Sequence, residues 1–122
     1  MEKESYYELR CAVVETFYEV LLSEGYTFGQ AASRCLVEFR SESQGGGQTG
    51  LVVLSVILSR LARHDPAALA RYQAELGAMQ ALAKKSACWR GLSSGEKKRL
   101  EEDLRFAIEK AADFKAKPAK WW

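Results

Sequence analysis

Two capping boxes near the N-terminus constrain the fold of this chain more than any other feature of its sequence. Ser5-Tyr6-Tyr7-Glu8 opens one amphipathic segment, Thr27-Phe28-Gly29-Gln30 opens a second, and Gly25 lies between them. In a capping box the Ser or Thr oxygen accepts a hydrogen bond from a backbone N–H, and the Glu or Gln reaches back to the N-cap. Because glycine readily adopts the left-handed conformation that ends a helix, the pattern predicts an antiparallel helix pair with a tight turn.

Apolar residues recur at helical spacing in both segments, which places one buried stripe on each helix. The first helix is predicted from about Tyr6 to Ser23, with a stripe formed by Leu9, Val13, Phe17 and Val20. The second helix is predicted from Phe28 to about Arg40, and its stripe is formed by Ala31, Ala32, Cys35, Leu36 and Phe39.

A glycine-rich segment and an apolar segment follow the helix pair. Residues 41–50 are predicted to form a flexible loop, since glycine has high conformational entropy in the unfolded chain and no side chain to pack. Leu51–Leu61 is apolar nearly all round, and its β-branched residues would also suit a buried strand. Because the chain offers no second strand-like run to pair with it, a buried central helix is the better interpretation.

The C-terminal half predicts two further helices and a tail. Asp65 is expected to cap a helix that has Pro66 at its first position. Ser93-Ser94-Gly95-Glu96 is a third capping box, and it opens a last helix from about Gly95 to Lys115. Residues 115–122 are expected to form an extended basic tail that ends in two tryptophans. The sequence therefore predicts one all-α domain over residues 1–122, a compact bundle of about five helices with an N-terminal antiparallel hairpin.

Few residues in this chain are suited to catalysis or metal binding. Cys11, Cys35 and Cys88 are spread singly, so a disulfide framework is not expected and a reducing, cytoplasmic compartment fits better. Cys11 and Cys35 are expected on or near buried stripes, and Cys88 is expected to be more exposed. His64 is the only histidine and has no metal-ligand spacing around it. The sequence predicts no catalytic residue, no metal site and no cofactor. It also contains no apolar run long enough to cross a membrane and no N-terminal apolar segment typical of a signal peptide.

Charge is distributed unevenly along the chain. Residues 1–50 carry four basic and eight acidic side chains, a net charge of −4, whereas residues 51–122 carry +6. The asymmetry indicates a face that meets a charged partner, or else two differently solvated surfaces. A helical nucleic-acid-binding or regulatory module is the alternative that the basic half suggests. Its basic residues are scattered over several helices without a helix-turn-helix pattern, which does not favour nucleic-acid binding.

The hairpin sequence resembles an all-α family of bacterial polymorphic-toxin immunity proteins. The matching residues are Ser5-Tyr6-Tyr7-Glu8-Leu9 through Phe17-Tyr18-Glu19, then Glu24-Gly25-Tyr26-Thr27 and Leu36-Val37-Glu38-Phe39. In the family a loop, a hydrophobic central helix, a basic connector and a Trp-containing segment follow. Here Leu51–Leu58, Arg60-Leu61-Ala62-Arg63 and Cys88-Trp89-Arg90 take those places. The resemblance covers about residues 5–112.

The resemblance implies a non-enzymatic protein that binds its cognate toxin domain and blocks it, in systems of contact-dependent or type VI secreted toxins. Toxins paired with this kind of immunity protein are often nucleases, whose surfaces are typically basic because they hold phosphates. The acidic N-terminal half would then be the complementary face. The charge contacts predicted for this face are Glu15, Glu19, Glu38 and Glu42. Trp89 is either a core side chain or a binding anchor, and Arg90 either contacts the toxin or pairs with an acid on a neighbouring helix.

Overall fold

Helices form every regular element that a computed structural model of the protein describes, over residues 6–44 and 47–116. The all-α class predicted from the sequence is therefore confirmed. Two 3-10 helices, Pro66–Tyr72 and Ser86–Cys88, lie on either side of the fifth α-helix. The α-helices are α1 (Tyr6–Glu24), α2 (Phe28–Glu38), α3 (Arg40–Ser43), α4 (Gln48–His64), α5 (Gln73–Ala83) and α6 (Ser94–Ala116).

The central helix α4 contacts all the other helices named above. Its residues 51–59 are all buried, including the two serines Ser55 and Ser59. A helix that is apolar on every side is stable only where other elements surround it, and α1, α2, α5 and α6 do so here. The prediction of a buried central helix is confirmed.

The hairpin of α1 and α2 has the cap geometry that the sequence predicts. Gly25 has a φ of +67°, and its N–H donates to the Leu21 carbonyl at 3.1 Å. The Gln30 N–H donates to Thr27 Oγ1 at 3.1 Å, and the Thr27 N–H donates to Gln30 Oε1 at 2.9 Å. The α1 stripe packs into the core, with Phe17 completely buried. The N-terminal capping box lies partly outside the described residues, because Ser5 precedes them.

The predicted glycine-rich loop over residues 41–50 is too wide. Its first residues belong to α3, which begins after α2 ends at Glu38, and Gln48 already begins α4. Gly50 is buried inside α4, where a Cβ atom would lie 3.0 Å from the Glu42 carbonyl oxygen and 3.3 Å from Leu82 Cδ1. This glycine therefore permits a close approach between α3 and α4, and flexibility is not its role.

Alanine substitutions at Gly50 and at Gly77 should change stability in opposite directions. Both glycines lie in helices, and alanine in a helix interior makes the helix more stable than glycine does by about 0.8–1 kcal/mol. At Gly77 nothing lies within 4 Å of the new Cβ, so Gly77→Ala should stabilise the fold by about this amount. At Gly50 the Cβ meets α3 backbone, so overpacking should outweigh the helix gain and Gly50→Ala should destabilise by about 1–2 kcal/mol. Urea unfolding followed by circular dichroism measures both changes, and equal stabilisation by the two substitutions would contradict the close approach.

The second half of the chain follows the predicted order of helices with one local difference. Asp65 precedes Pro66, but its side chain makes no capping hydrogen bond, and the helix it begins is a 3-10 helix that runs directly into α5. The capping box before α6 is confirmed, since the Glu96 N–H donates to Ser93 Oγ at 3.2 Å and the Ser93 N–H donates to Glu96 Oε1 at 2.8 Å. The helix α6 continues to Ala116, and the rest of the predicted tail lies outside the described residues. Within the described part of the chain, no helix is both long enough and apolar enough to cross a membrane.

One buried ion pair connects α1 to α6 across 93 residues of sequence. Arg10 Nε lies 3.3 Å from Asp103 Oδ2, and the two side chains are only 12% and 7% exposed. Asp103 lies on the stripe of α6 that faces the core, between Leu100 and Ala107, both of which are fully buried. An acid at this stripe position is the sequence signal for the buried charge.

Candidate functional site

A line of exposed residues, spaced three or four positions apart, runs along one side of α1. These residues are Glu8, Cys11, Glu15, Glu19 and Leu22, and each of them is exposed. Because residues at this spacing share one face of a helix, they form a ridge about 21 Å long at 1.5 Å per residue. We call this line the acidic ridge.

The two central acids of the ridge, Glu15 and Glu19, have no base beside them on α1. Arg10 is the only basic residue in α1, and its side chain is engaged with the buried Asp103 on the opposite flank. The carboxylates of Glu15 and Glu19 form no ion pair or hydrogen bond with any residue in the described ranges. Glu15 and Glu19 therefore present uncompensated negative charge to solvent.

One large exposed hydrophobic side chain lies on the ridge, and two others lie elsewhere on the same hairpin. Among the described residues, the large hydrophobic side chains that are strongly exposed are Tyr7, Leu22 and Val37, and all three belong to the α1–α2 hairpin. Leu22 is 86% exposed and lies on the acidic ridge itself. Interfaces combine apolar side chains with charged groups around them, so the hairpin has the composition of a binding surface.

The six residues predicted to bind a partner do not form one site. Glu19 follows Tyr18, whose hydroxyl lies 2.7 Å from His64 Nε2 at the C-terminal end of α4. At the other end of α4, the Gln48 amide donates to the Arg90 carbonyl oxygen at 2.9 Å. The two ends of α4 are about 24 Å apart at the helical rise per residue. The structure therefore places Glu19 and Arg90 at opposite ends of the bundle.

The remaining predicted contact residues differ in accessibility. Glu38 is exposed at the end of α2, whereas Glu42 is half-buried in α3. Trp89 is half-buried against the core, and its Nε1–H donates to the Ala83 carbonyl at 2.8 Å, which gives the ring an internal structural role. Arg90 is exposed and forms no side-chain ion pair with another described residue.

A groove between α2 and the first 3-10 helix has a basic lining. The groove has a volume of about 570 Å³, and two arginines, Arg34 and Arg71, line it. The Tyr72 hydroxyl lies in its wall, 2.6 Å from Ser33 Oγ, and donates to the Gly29 carbonyl at 2.9 Å. The N-terminal half is predicted from its net charge to present an acidic face, but this side of α2 is basic.

The cysteines and His64 have mainly structural environments. Two predictions about the cysteines were wrong, because Cys11 is exposed and Cys88 is buried. Burial raises the pKa of the Cys35 thiol to about 12, and the Glu38 charge adds to this effect, so Cys35 is a thiol at neutral pH. The His64 ring stacks on Phe28 with centroids 4.6 Å apart, and with the Tyr18 hydroxyl bond it ties α4 to the hairpin. Within residues 6–44 and 47–116, no three His, Cys, Asp or Glu residues are placed to hold a metal ion.

Comparison with known proteins identifies no relative. No family model, no curated protein and no solved structure matches the chain.

Proposed function

We propose that this chain is an immunity protein that binds and neutralises a bacterial toxin domain, and that the acidic ridge of α1 is the face that meets the toxin. The observation that supports this most is the uniform charge of the ridge. Arg10, the one base on α1, is turned away to Asp103, so that Glu15 and Glu19 stand beside exposed Leu22 without a counter-charge.

These acids lie where an isolated helix disfavours them. Glu15 and Glu19 are one turn apart, and like charges at this spacing destabilise a helix by about 0.2–0.5 kcal/mol. Glu19 is also near the C-terminal end of α1, where the helix dipole is negative, and the last turn contains no basic residue. A cationic partner would relieve both repulsions, so charge complementarity favours a basic protein surface as the occupant of the ridge.

The partner that fits this surface is a toxin domain of the nuclease type. A nuclease holds phosphates and therefore exposes a basic substrate path. An acidic helix about 21 Å long can lie along such a path, exclude the nucleic acid and steer rapid association. A stable complex buries about 800 Å² on each partner, so the contact would extend from the ridge to neighbouring parts of the hairpin. Neutralisation then follows from occlusion of the substrate path.

Charge reversal on the ridge should weaken toxin binding without unfolding the protein. The double variant Glu15→Lys/Glu19→Lys replaces one like-charge pair with another at two exposed positions, so its thermal stability should stay close to that of the wild type. Its affinity for the toxin domain should fall about 10- to 100-fold, mainly through slower association. The toxin to test is the C-terminal domain encoded by the neighbouring reading frame, and surface plasmon resonance separates the two rate constants.

A matched control separates the ridge from net charge. Glu101→Lys/Glu109→Lys makes the same change in charge on the exposed side of α6, and it should leave affinity nearly unchanged. Cys11 gives a second readout, because bound toxin should slow alkylation of this exposed thiol on the ridge. Equal losses in the two double variants would reject the ridge as the interface. Failure of the wild-type chain to protect cells that express the toxin domain would reject the function itself.

A further inference from the structure

A second charged site lies where α1, α4 and α6 meet, on the flank of α1 away from the acidic ridge. It is a cleft of about 260 Å³. Four arginines line it: Arg10 from α1, Arg60 and Arg63 from α4, and Arg99 from α6. These bases are separated in the chain, and only the crossing of three helices brings them together.

The cleft has an excess of positive charge. Arg10 is paired with Asp103. Glu102 is the other acid in the lining, so two of the three remaining arginine charges have no counter-charge. Burial raises the pKa of the Asp103 carboxyl, against the lowering effects of Arg10, Arg60 and Arg99.

Donor groups in the cleft lack acceptors. Arg60 Nε is buried and has no hydrogen-bond partner, an arrangement that is costly for a charged donor. The Arg63 guanidinium carbon lies 5.3 Å from the centroid of the Phe106 ring, which also lines the cleft. An aromatic face holds a guanidinium group without using its N–H donors, since these lie in the guanidinium plane. The cleft therefore combines positioned arginines with unused donors.

Size and charge together define the ligand class. Each water occupies about 30 Å³ in the liquid, so a cleft of about 260 Å³ accommodates a multi-atom oxyanion with some solvent. Guanidinium groups match the oxygens of phosphate in geometry. A phosphate monoester carries about −1.5 to −2 at neutral pH, which balances the two uncompensated arginine charges, whereas a phosphodiester carries −1.

We propose that the four-arginine cleft is a binding site for the terminal phosphate group of a small phosphorylated molecule. A nucleic-acid backbone is a poorer match, because its diester groups carry half the charge. A row of basic side chains would also be needed to contact its successive phosphates. The site is independent of the toxin interface proposed above, since it lies on the opposite flank of α1.

Isothermal titration calorimetry of the whole chain at constant ionic strength tests the proposal. The probes are inorganic phosphate, phenyl phosphate as a simple monoester, dimethyl phosphate as a diester, and a short DNA duplex. The two monoester-like probes should bind, and the diester should bind at least about tenfold more weakly. Arg63→Gln and Arg99→Gln change exposed side chains of the cleft, and each should weaken phosphate binding at least about tenfold. Arg105→Gln removes an exposed arginine of α6 outside the cleft lining and should bind phosphate like the wild type.

Three results would overturn the phosphate site. The first is the absence of phosphate binding by a wild-type protein whose thermal unfolding shows that it is folded. The second is an equal loss of binding in Arg105→Gln and in the cleft variants, which would indicate general charge attraction. The third is tighter binding of the duplex than of phenyl phosphate, with a strong dependence on salt, which would assign the cleft to a nucleic-acid-binding surface.

Discussion

Replacing Asp103 with alanine should destabilise the protein by about 3 kcal/mol, the low end of the range for breaking a buried ion pair. Asp103 is 7% exposed, and its removal leaves Arg10 without its partner in a cleft that already contains three other arginines. The low end applies because Arg10 keeps some contact with water at 12% exposure. Urea unfolding monitored by circular dichroism measures the loss.

An exposed aspartate on the same helix provides the control for this prediction. Asp113→Ala in α6 should change stability by no more than about 0.5 kcal/mol, as is usual for surface positions. Similar effects of the two substitutions would show that the ion pair contributes little to the fold.

Asp103→Asn tests which of two opposing effects sets the charge of this residue. Burial raises its pKa, while Arg10 and the neighbouring Arg60 and Arg99 act to lower it, and burial is the larger effect. A raised pKa means that the folded state binds the proton more tightly than the unfolded chain does. The stability from this group is therefore greatest below the ordinary value of 3.8 and falls as the pH rises through the raised pKa. The free energy of unfolding of the wild type, relative to that of Asp103→Asn, should fall as the pH rises from 3.8 through the raised pKa. A relative free energy that rises with pH would mean that the arginines dominate.

Replacing Phe17 with alanine should have an equally large effect, about 3–5 kcal/mol. Phe17 is fully buried in the α1 stripe, in the core that α1 shares with α4. Truncation removes the transfer free energy of the ring and leaves a cavity that the surrounding helices fill only in part. Because α1 and α4 pack on one another along this stripe, the loss should appear as a lower unfolding midpoint in urea.

Leu22 is the matched control on the same helix. It is 86% exposed, so Leu22→Ala should change stability by less than about 0.5 kcal/mol. If Leu22 is part of the toxin interface, the same substitution should weaken toxin binding, which separates its role from that of Phe17. A large loss of stability in Leu22→Ala would contradict its placement on the exposed ridge.

Local sequence patterns were sufficient to predict the helices and the exposure of much of the ridge. The capping boxes at Thr27 and Ser93 place both partners of each hydrogen bond within four residues, so they are readable without any tertiary information. Helical spacing likewise separates the buried Phe17 from the exposed Glu15 and Glu19 on the same helix.

Sequence patterns did not predict how distant segments meet. Composition suggested that Gly50 belonged to a mobile loop, whereas its close contact with Glu42 depends on how α3 packs on α4. The burial of Cys88 depends in the same way on which neighbours cover it, whereas the exposure of Cys11 was readable from its helical spacing to Glu15. The division of the predicted contact residues between the two ends of α4 also follows from packing, because Arg90 reaches Gln48 only in the folded chain.

The sequence by itself determined an all-α fold with capped helices, a buried central helix and an acidic first helix, because caps, spacing and charge act within a few residues of one another. The tertiary structure decided which charges are compensated. It turns Arg10 toward Asp103, 93 residues away, leaves Glu15 and Glu19 without a base and gathers four arginines into one cleft. The physical reason is that burial and ion pairing depend on distance in space, and the crossing of α1, α4 and α6 sets those distances.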